Sequence, residues 1–371
     1  MRDSVMDSDD ALARLLTVPL RDLVDTRRRS VTDFVSRRGL ETGSLQDFLL
    51  GRVGDGELLL TSSPVHGLAN ETSDFDFIRV QESAIDGPRI ATKIFDRGHH
   101  LEVVSFARGE LKRNLDELTA LATLPPGDLV DGFRSWDRRF EPRRKQTERI
   151  VNGITLDGRV PYLASLPALA LVWSRAALHA AVEQVAHLCL AEAAGESRGR
   201  VGYAYNVLLH LMDSVLSLHG DVYTTRKWYL LRWARLVRSG AWHDDAYRAA
   251  GEAVERLRVS LSAALTAGSS VRLAEDYTAL VAAVAAATGV TQDVTVRTAL
   301  GASASYRGFL PGAELLADGD AGVLVTSRVD EAPVALAALP GVDPNSATSA
   351  LRAVRAGVAT TTVEYRDRSA A

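Results

Sequence analysis

The sequence predicts an α+β protein: a small mixed sheet first, then a helical bundle, then a small C-terminal α/β module. Three observations predict it. Residues 1–125 set short alternating strand patterns between helical ones. Residues 126–290 keep the helical period almost without interruption, and residues 291–371 are rich in Ala, Gly, Thr and Val as strand patterns return. The chain has 371 residues, more than one ordinary domain of roughly 150. Each zone is therefore expected to be a domain.

In the first zone LARLLTVPLRDLVDTRRRSVTDFVSRRGL has helical spacing, with Pro19 dividing it into two segments. GDG then turns the chain into ELLLTSS, a short buried-strand pattern. SDFDFIRV alternates acid and aromatic. PRIATKIF and HLEVVSF follow as a hairpin around DRGH, and a helix begins near Gly109. In the second zone Leu, Val and Ala recur at i, i+3, i+4 and i+7. Its longest helices are expected over about 167–195 and 200–219. The third zone reads strand, strand, helix, helix, strand, from VTVRTAL through AGVLVTSR, APVALAAL and NSATSALRAV to TTTVEY. This order suggests a winged-helix-like module.

Composition excludes several classes. The apolar share is 46% and the charged share 24%, ordinary globular values that allow a sizeable core. Net charge is −4, which argues against nucleic acid as a partner. The arginine runs at 27–29, 138–139 and 143–144 are expected to be solvated faces, because no aromatics interleave them. The N-terminal MRDSVMDSDD is acidic and has no apolar run behind it, and no apolar stretch reads as a membrane span. Cys189 is the single cysteine and reads as a core residue. These features suit a reducing cytoplasm. The histidines lack H-E-x-x-H spacing and no C-x-x-C occurs, so zinc is not expected. The sequence sets no oligomeric state.

The stretch that carries chemistry is LLLTSSPVHGLANETSDFDFIRV, residues 58–80. Strand side chains alternate with period two, so Asp74 and Asp76 project together while Phe75 and Phe77 face the core. Two hard oxygen donors side by side suit Mg²⁺, which completes its shell with phosphate and water. Upstream, Ser62 and Ser63 end a strand and the chain turns through Gly67, offering hydroxyls and backbone N–H groups to phosphates. Glu102 is the lone charge in the apolar strand HLEVVSF, and a buried charge needs a partner. His66 lies within the turn, either toward phosphates or on the surface.

This segment resembles the signature of the DNA polymerase β-like nucleotidyltransferase superfamily. That signature is Gly-Ser, a four-residue spacing to Gly, then Ser-Asp-x-Asp. Ser63, Gly67, Ser73, Asp74 and Asp76 fall on it over about 25 residues, with Ser62 standing where the family has Gly. The resemblance implies that residues 1–125 form a nucleotidyltransferase domain. It further implies that Asp74, Asp76 and a third carboxylate, Glu102, bind metal and act in catalysis, with two Mg²⁺ ions clamping the attacking and leaving oxygens. Glu102 or Asp76 would take the proton of the attacking hydroxyl.

LHGDVYTTRKWYLLRWARL, residues 218–236, breaks a helix at Gly220 and restarts it, with Thr224 or Thr225 as the expected cap and Lys227 in the first turn. It is similar to the helix-start segment of antibiotic nucleotidyltransferases, which implies that Lys227 meets the nucleotide phosphates. The expected substrates are a nucleoside triphosphate, ATP foremost, and a small-molecule hydroxyl acceptor such as an antibiotic or natural-product intermediate, held between the first two domains. Two other readings stay open. Residues 291–371 faintly resemble peptide-binding recognition domains, which would make the acceptor a peptide or protein. The chain could also be a non-catalytic, antitoxin-like binding protein on the same fold.

Overall fold

The computed structural model describes residue 16 and residues 18–85, 90–139, 144–267 and 273–366. The chain divides into two compact units. One holds Met1–Ser174 with Leu216–His243, and the other Arg175–Val215 with Asp244–Ala371. Two of the three divisions fall inside long helices and the third in the connection at 243/244; the expected boundary at 125/126 lies within the first unit and that at 290/291 within the second. Both units combine helices with sheets, and the protein is α+β.

The first unit opens with α1 (Leu20–Ser36), which starts directly after Pro19. The segment expected before that proline lies largely outside the described residues. Then come α2 (Thr42–Val53), β1 (Glu57–Leu60), β2 (Phe75–Gln81), β3 (Thr92–Asp96) and β4 (His99–Ala107). Helices α3 (Arg108–Leu121), α4 (Pro126–Arg139) and α5 (Arg144–Asn152) lead to the short β5 (Ile154–Thr155). The five strands form one sheet in the order β3-β4-β2-β1-β5, with β2 and β4 parallel and every other pairing antiparallel. This is the expected mixed sheet. The β3–β4 hairpin turns through Arg97 and Gly98, both with positive φ (47° and 81°), as the tight two-residue turns that match strand twist require.

Alternation divides the sheet between two cores. Leu58, Leu60, Phe75, Phe77, Leu101 and Val103 face Val31, Phe34 and Val35 of α1 and Leu45 and Leu49 of α2. On the opposite face Leu59, Ile78, Val80 and Phe106 lie under Leu111 of α3 and Ile150 of α5. Each such side chain contributes roughly 1.5–3 kcal/mol when fully buried, so a one-residue slip in β2 would exchange core aromatics for acids. At the end of this second face α5 brings Arg149 to Asp76.

The second unit takes parts of α6 (Leu166–Ala193) and α7 (Ser197–Leu218), while α8 (Tyr229–Ser239) belongs to the first unit. Helices α9 (Asp245–Ala267) and α10 (Ala274–Ala287) precede β6 (Asp293–Leu300), β7 (Ser305–Leu310), β8 (Ala313–Asp318) and β9 (Ala321–Val325). Next are β10 (Val334–Ala335), α11 (Pro344–Arg355), whose first turn Asp343 caps through Ser346 N at 2.9 Å, and β11 (Ala359–Arg366). Two antiparallel three-stranded sheets result, β10-β6-β11 and β7-β8-β9. Their core joins Leu316 and Val325 to Ala347, Leu351 and Val358, and to Leu190 and Ala191 of α6. The segment Leu163–Ala193 is long and apolar enough to cross a membrane by length and composition, but 78% of its apolar window is buried inside the protein. An all-round apolar helix of this kind also serves as a core element.

Candidate active site

The three predicted carboxylates share one face of the sheet. Asp76 on β2 is the register partner of Glu102 on β4, and residues paired across adjacent strands project to the same side. Asp74 lies two residues earlier, just before β2 begins, with a side chain 57% exposed against 26% for Asp76. Beyond Glu102, β3 adds Lys93 opposite it and Phe95 opposite His100. The Phe95 ring is exposed and stacks on His100 with centroids 4.8 Å apart, and His100 Nδ1 stands 3.4 Å from Asp74 Oδ1. His100 therefore belongs to the acidic row. Asp76 Oδ2 meets Arg149 Nη2 of α5 at 3.4 Å, an ion pair that sequence reasoning missed. Asp74 and Asp76 thus each face a basic side chain. Among the described residues no three of His, Cys, Asp and Glu are gathered as a metal-holding cluster.

The loop after β1 is tight and mostly buried. Ser62 is 4% exposed, its Oγ has no hydrogen-bond partner, and its φ is +65°. That is the left-handed region glycine favours, at the position where the signature has glycine. The sequence departs from the signature while the backbone keeps the glycine-like conformation. Ser63 is 9% exposed, and its carbonyl accepts from Leu68 N at 2.9 Å. Gly67 has φ +60°, the region glycine favours, and a Cβ there would press on Ser30 Oγ at 3.0 Å. Ser73 closes the next turn: its Oγ donates to Asn70 Oδ1 at 2.9 Å and accepts from Asn70 N at 3.0 Å. Ser62→Gly should raise stability by about 0.5–1 kcal/mol, the relief of about 1–2 kcal/mol of left-handed strain less the added freedom of the unfolded chain. Thermal unfolding checks this, and a destabilised variant would contradict it.

His66 is not a surface residue. Its side chain is 6% exposed, stacks on Tyr223 at 4.6 Å, and sits between Asp221 (Nδ1 to Oδ1, 3.3 Å) and Glu148 (Nε2 to Oε1, 3.6 Å). Glu148 is fully buried on α5 and accepts from Asn152 Nδ2 at 3.2 Å and Thr224 Oγ1 at 3.3 Å. Arg232 of α8 is 1% exposed and donates to Asp221 Oδ2 at 3.0 Å, to Tyr223 O at 2.9 Å and to Asp221 O. Burial alone would raise Asp221, but Arg232 and His66 together hold it well below the usual carboxylate range. Arg27, expected on a solvated face, is 4% exposed, and its Nη2 donates to Asn152 Oδ1. Burial draws it down to about 10 against the pull of Asp221 and Glu148.

The restart after Gly220 also differs from expectation. A 3₁₀ turn at Arg226–Trp228 precedes α8, and Thr225 makes no side-chain cap. Thr224 turns its hydroxyl to Glu148 instead. Lys227 lies in the 3₁₀ turn, exposed, with Nζ 5.1 Å from the Trp228 ring centroid. Cys189 is buried in the second unit, and burial pushes its thiol up to about 11, which suits a core residue.

No curated protein matches the sequence. The family of unknown function DUF6001 matches residues 22–365, from within α1 to within β11, and the chain belongs to that family.

Proposed function

We propose that this protein is a Mg²⁺-dependent nucleotidyltransferase. It moves a nucleoside monophosphate from a nucleoside triphosphate, ATP foremost, to a hydroxyl of a small-molecule acceptor such as an antibiotic or natural-product intermediate. The observation that carries this reading is the Asp76–Glu102 register, with Asp74 on the same face beside a loop whose Ser62 takes a glycine-like conformation.

The donor chemistry suits magnesium, since all three carboxylates are hard oxygen donors. They are not gathered as a metal-holding cluster in this structure and would have to converge on the ion, with Asp76 leaving Arg149. Asp74, Asp76 and Glu102 would hold the ion or ions. Bound there, magnesium supplies positive charge to the triphosphate and to the leaving oxygen. The chain's own groups do the rest. Ser62 and Ser63, around Gly67, and the Lys227 ammonium would donate to phosphate oxygens, and Ser73 would do so on releasing Asn70. Glu102 or Asp76 accepts the acceptor's hydroxyl proton. The acceptor oxygen bonds to the α-phosphorus as the bond to the bridging oxygen breaks, and pyrophosphate leaves with that electron pair. Phe95, stacked on His100 beside Asp74, offers the acceptor a flat apolar surface.

A second reading, a non-catalytic binding protein on the same fold, draws on the Arg149–Asp76 ion pair, which supplies a cation to Asp76 from the chain itself. Incubation with Mg²⁺, each of the four nucleoside triphosphates and a pool of hydroxylated small molecules separates the two. Pyrophosphate release supports transfer, and its absence with all four supports binding alone. Lys227→Ala should weaken the affinity for a non-hydrolysable ATP analogue about 10- to 100-fold, the loss of one charge-assisted contact. An unchanged dissociation constant in calorimetry would remove Lys227 from the phosphate site.

A further inference from the structure

We propose that the first unit holds a second anion site, a cavity behind the Ser62–Gly67 loop that takes a small multiply charged oxyanion such as a phosphate group. The cavity opens to solvent and has a volume of about 270 Å³, and its walls include Arg27, His66, His219, Asp221, Arg232 and Arg235. Three guanidinium groups thus face two carboxylates, Asp221 in the wall and the buried Glu148 behind His66 and Arg27. Asp221 is already committed, with Arg232 on Oδ2 and His66 on Oδ1. Glu148 offsets Arg27, so the positive charge left over is that of Arg235 at the cavity mouth.

Orphaned donors point the same way. Arg27 is more than nine-tenths buried, and although Nη2 reaches Asn152, Nη1 has no hydrogen-bond partner. His219 Nδ1 is likewise buried without a partner in the same wall, and burial pushes that ring's pKa down against the pull of Asp221. Buried polar atoms are ordinarily satisfied, and an unpaired arm of a buried guanidinium is costly to leave. An oxyanion accepting from Arg27 Nη1, His219 and Arg235 satisfies them together, with the charge-assisted geometry arginine favours. Arg235 also donates to His66 O at 2.9 Å and Gly67 O at 2.6 Å, so the site shares a residue with the loop backbone.

The site is independent of the catalytic reading, and the probe is inorganic phosphate without magnesium or nucleotide. Calorimetric titration of the full chain should show one phosphate bound. Arg27→Met and Arg235→Gln should each weaken it at least about 10-fold, the loss of one charge-assisted contact, while Lys227→Ala leaves it unchanged. Arg235 is exposed, so its variant decides the matter if Arg27→Met does not fold. No phosphate binding by the wild type, wild-type affinity in Arg235→Gln, or a loss confined to Lys227→Ala would each overturn the proposal.

Discussion

Asp76→Asn is expected to abolish nucleotide transfer while the fold survives. Asparagine keeps the shape of the side chain and removes the anionic donor. Asp76 sits at the centre of the acidic row, between Asp74 in sequence and Glu102 in register. The loss should be at least about 10³-fold, within the range measured for positioned acid–base groups. Glu102→Gln should cost at least about 10²-fold, with nucleotide binding better preserved than turnover. Some stability should be lost as well in Asp76→Asn, because the Arg149–Asp76 pair, with side chains 17% and 26% exposed, is only partly solvated and asparagine leaves Arg149 uncompensated. The cost should lie between the about 1 kcal/mol of an exposed pair and the about 3–5 kcal/mol of a buried one. Pyrophosphate release read beside thermal unfolding checks both variants. Wild-type turnover in Asp76→Asn would contradict the assignment, and unchanged turnover in Glu102→Gln would take Glu102 out of the mechanism.

The largest stability effect is expected from Arg232→Met. Methionine retains much of the apolar stem but removes the donors to Asp221 Oδ2, Tyr223 O and Asp221 O. Breaking a buried ion pair by removing one partner costs about 3–5 kcal/mol, since the other charge is left uncompensated. The effect should depend on pH with a definite sign. Asp221 is held below its unfolded value of about 3.9, so its contribution is present above that pH and is lost as pH falls toward the folded value. The stability gap between wild type and variant should therefore be widest near neutral pH and narrow below about pH 4. Denaturant unfolding at pH 7 and pH 3.5 measures both gaps. A variant less than about 1 kcal/mol destabilised at pH 7 would show that the network is not a stabilising element.

The acidic row was legible because period two is a rigid rule: once SDFDFIRV is a strand, Asp74 and Asp76 must share a face. The same rule exposed Glu102 in an apolar strand. The pairing of Asp76 with Glu102 was not legible, because it depends on β2 and β4 lying parallel with β3 placed outside them, and no local pattern encodes that. The left-handed Ser62 was hidden for a related reason, since serine does not announce positive φ as glycine does. Arg27 was misread as part of a solvated run. Its position, four before Val31 and seven before Phe34, puts it on the buried stripe of α1, a signal that spacing could have supplied. Glu148 and Asp221 lay beyond reach because their partners come from distant segments, α5 against the loop and the α7–α8 connection. The β7–β8 hairpin was missed because β7 is mostly exposed and lacks apolar alternation.

The most direct test of the catalytic assignment is calorimetric titration of the wild type with a non-hydrolysable ATP analogue, with and without Mg²⁺, beside the same titrations of Asp76→Asn. Nucleotide binding that strengthens when magnesium is added, with that gain lost in Asp76→Asn, is the expected result. Binding that is absent, or equally strong with and without magnesium, would contradict a carboxylate-held metal site on this sheet.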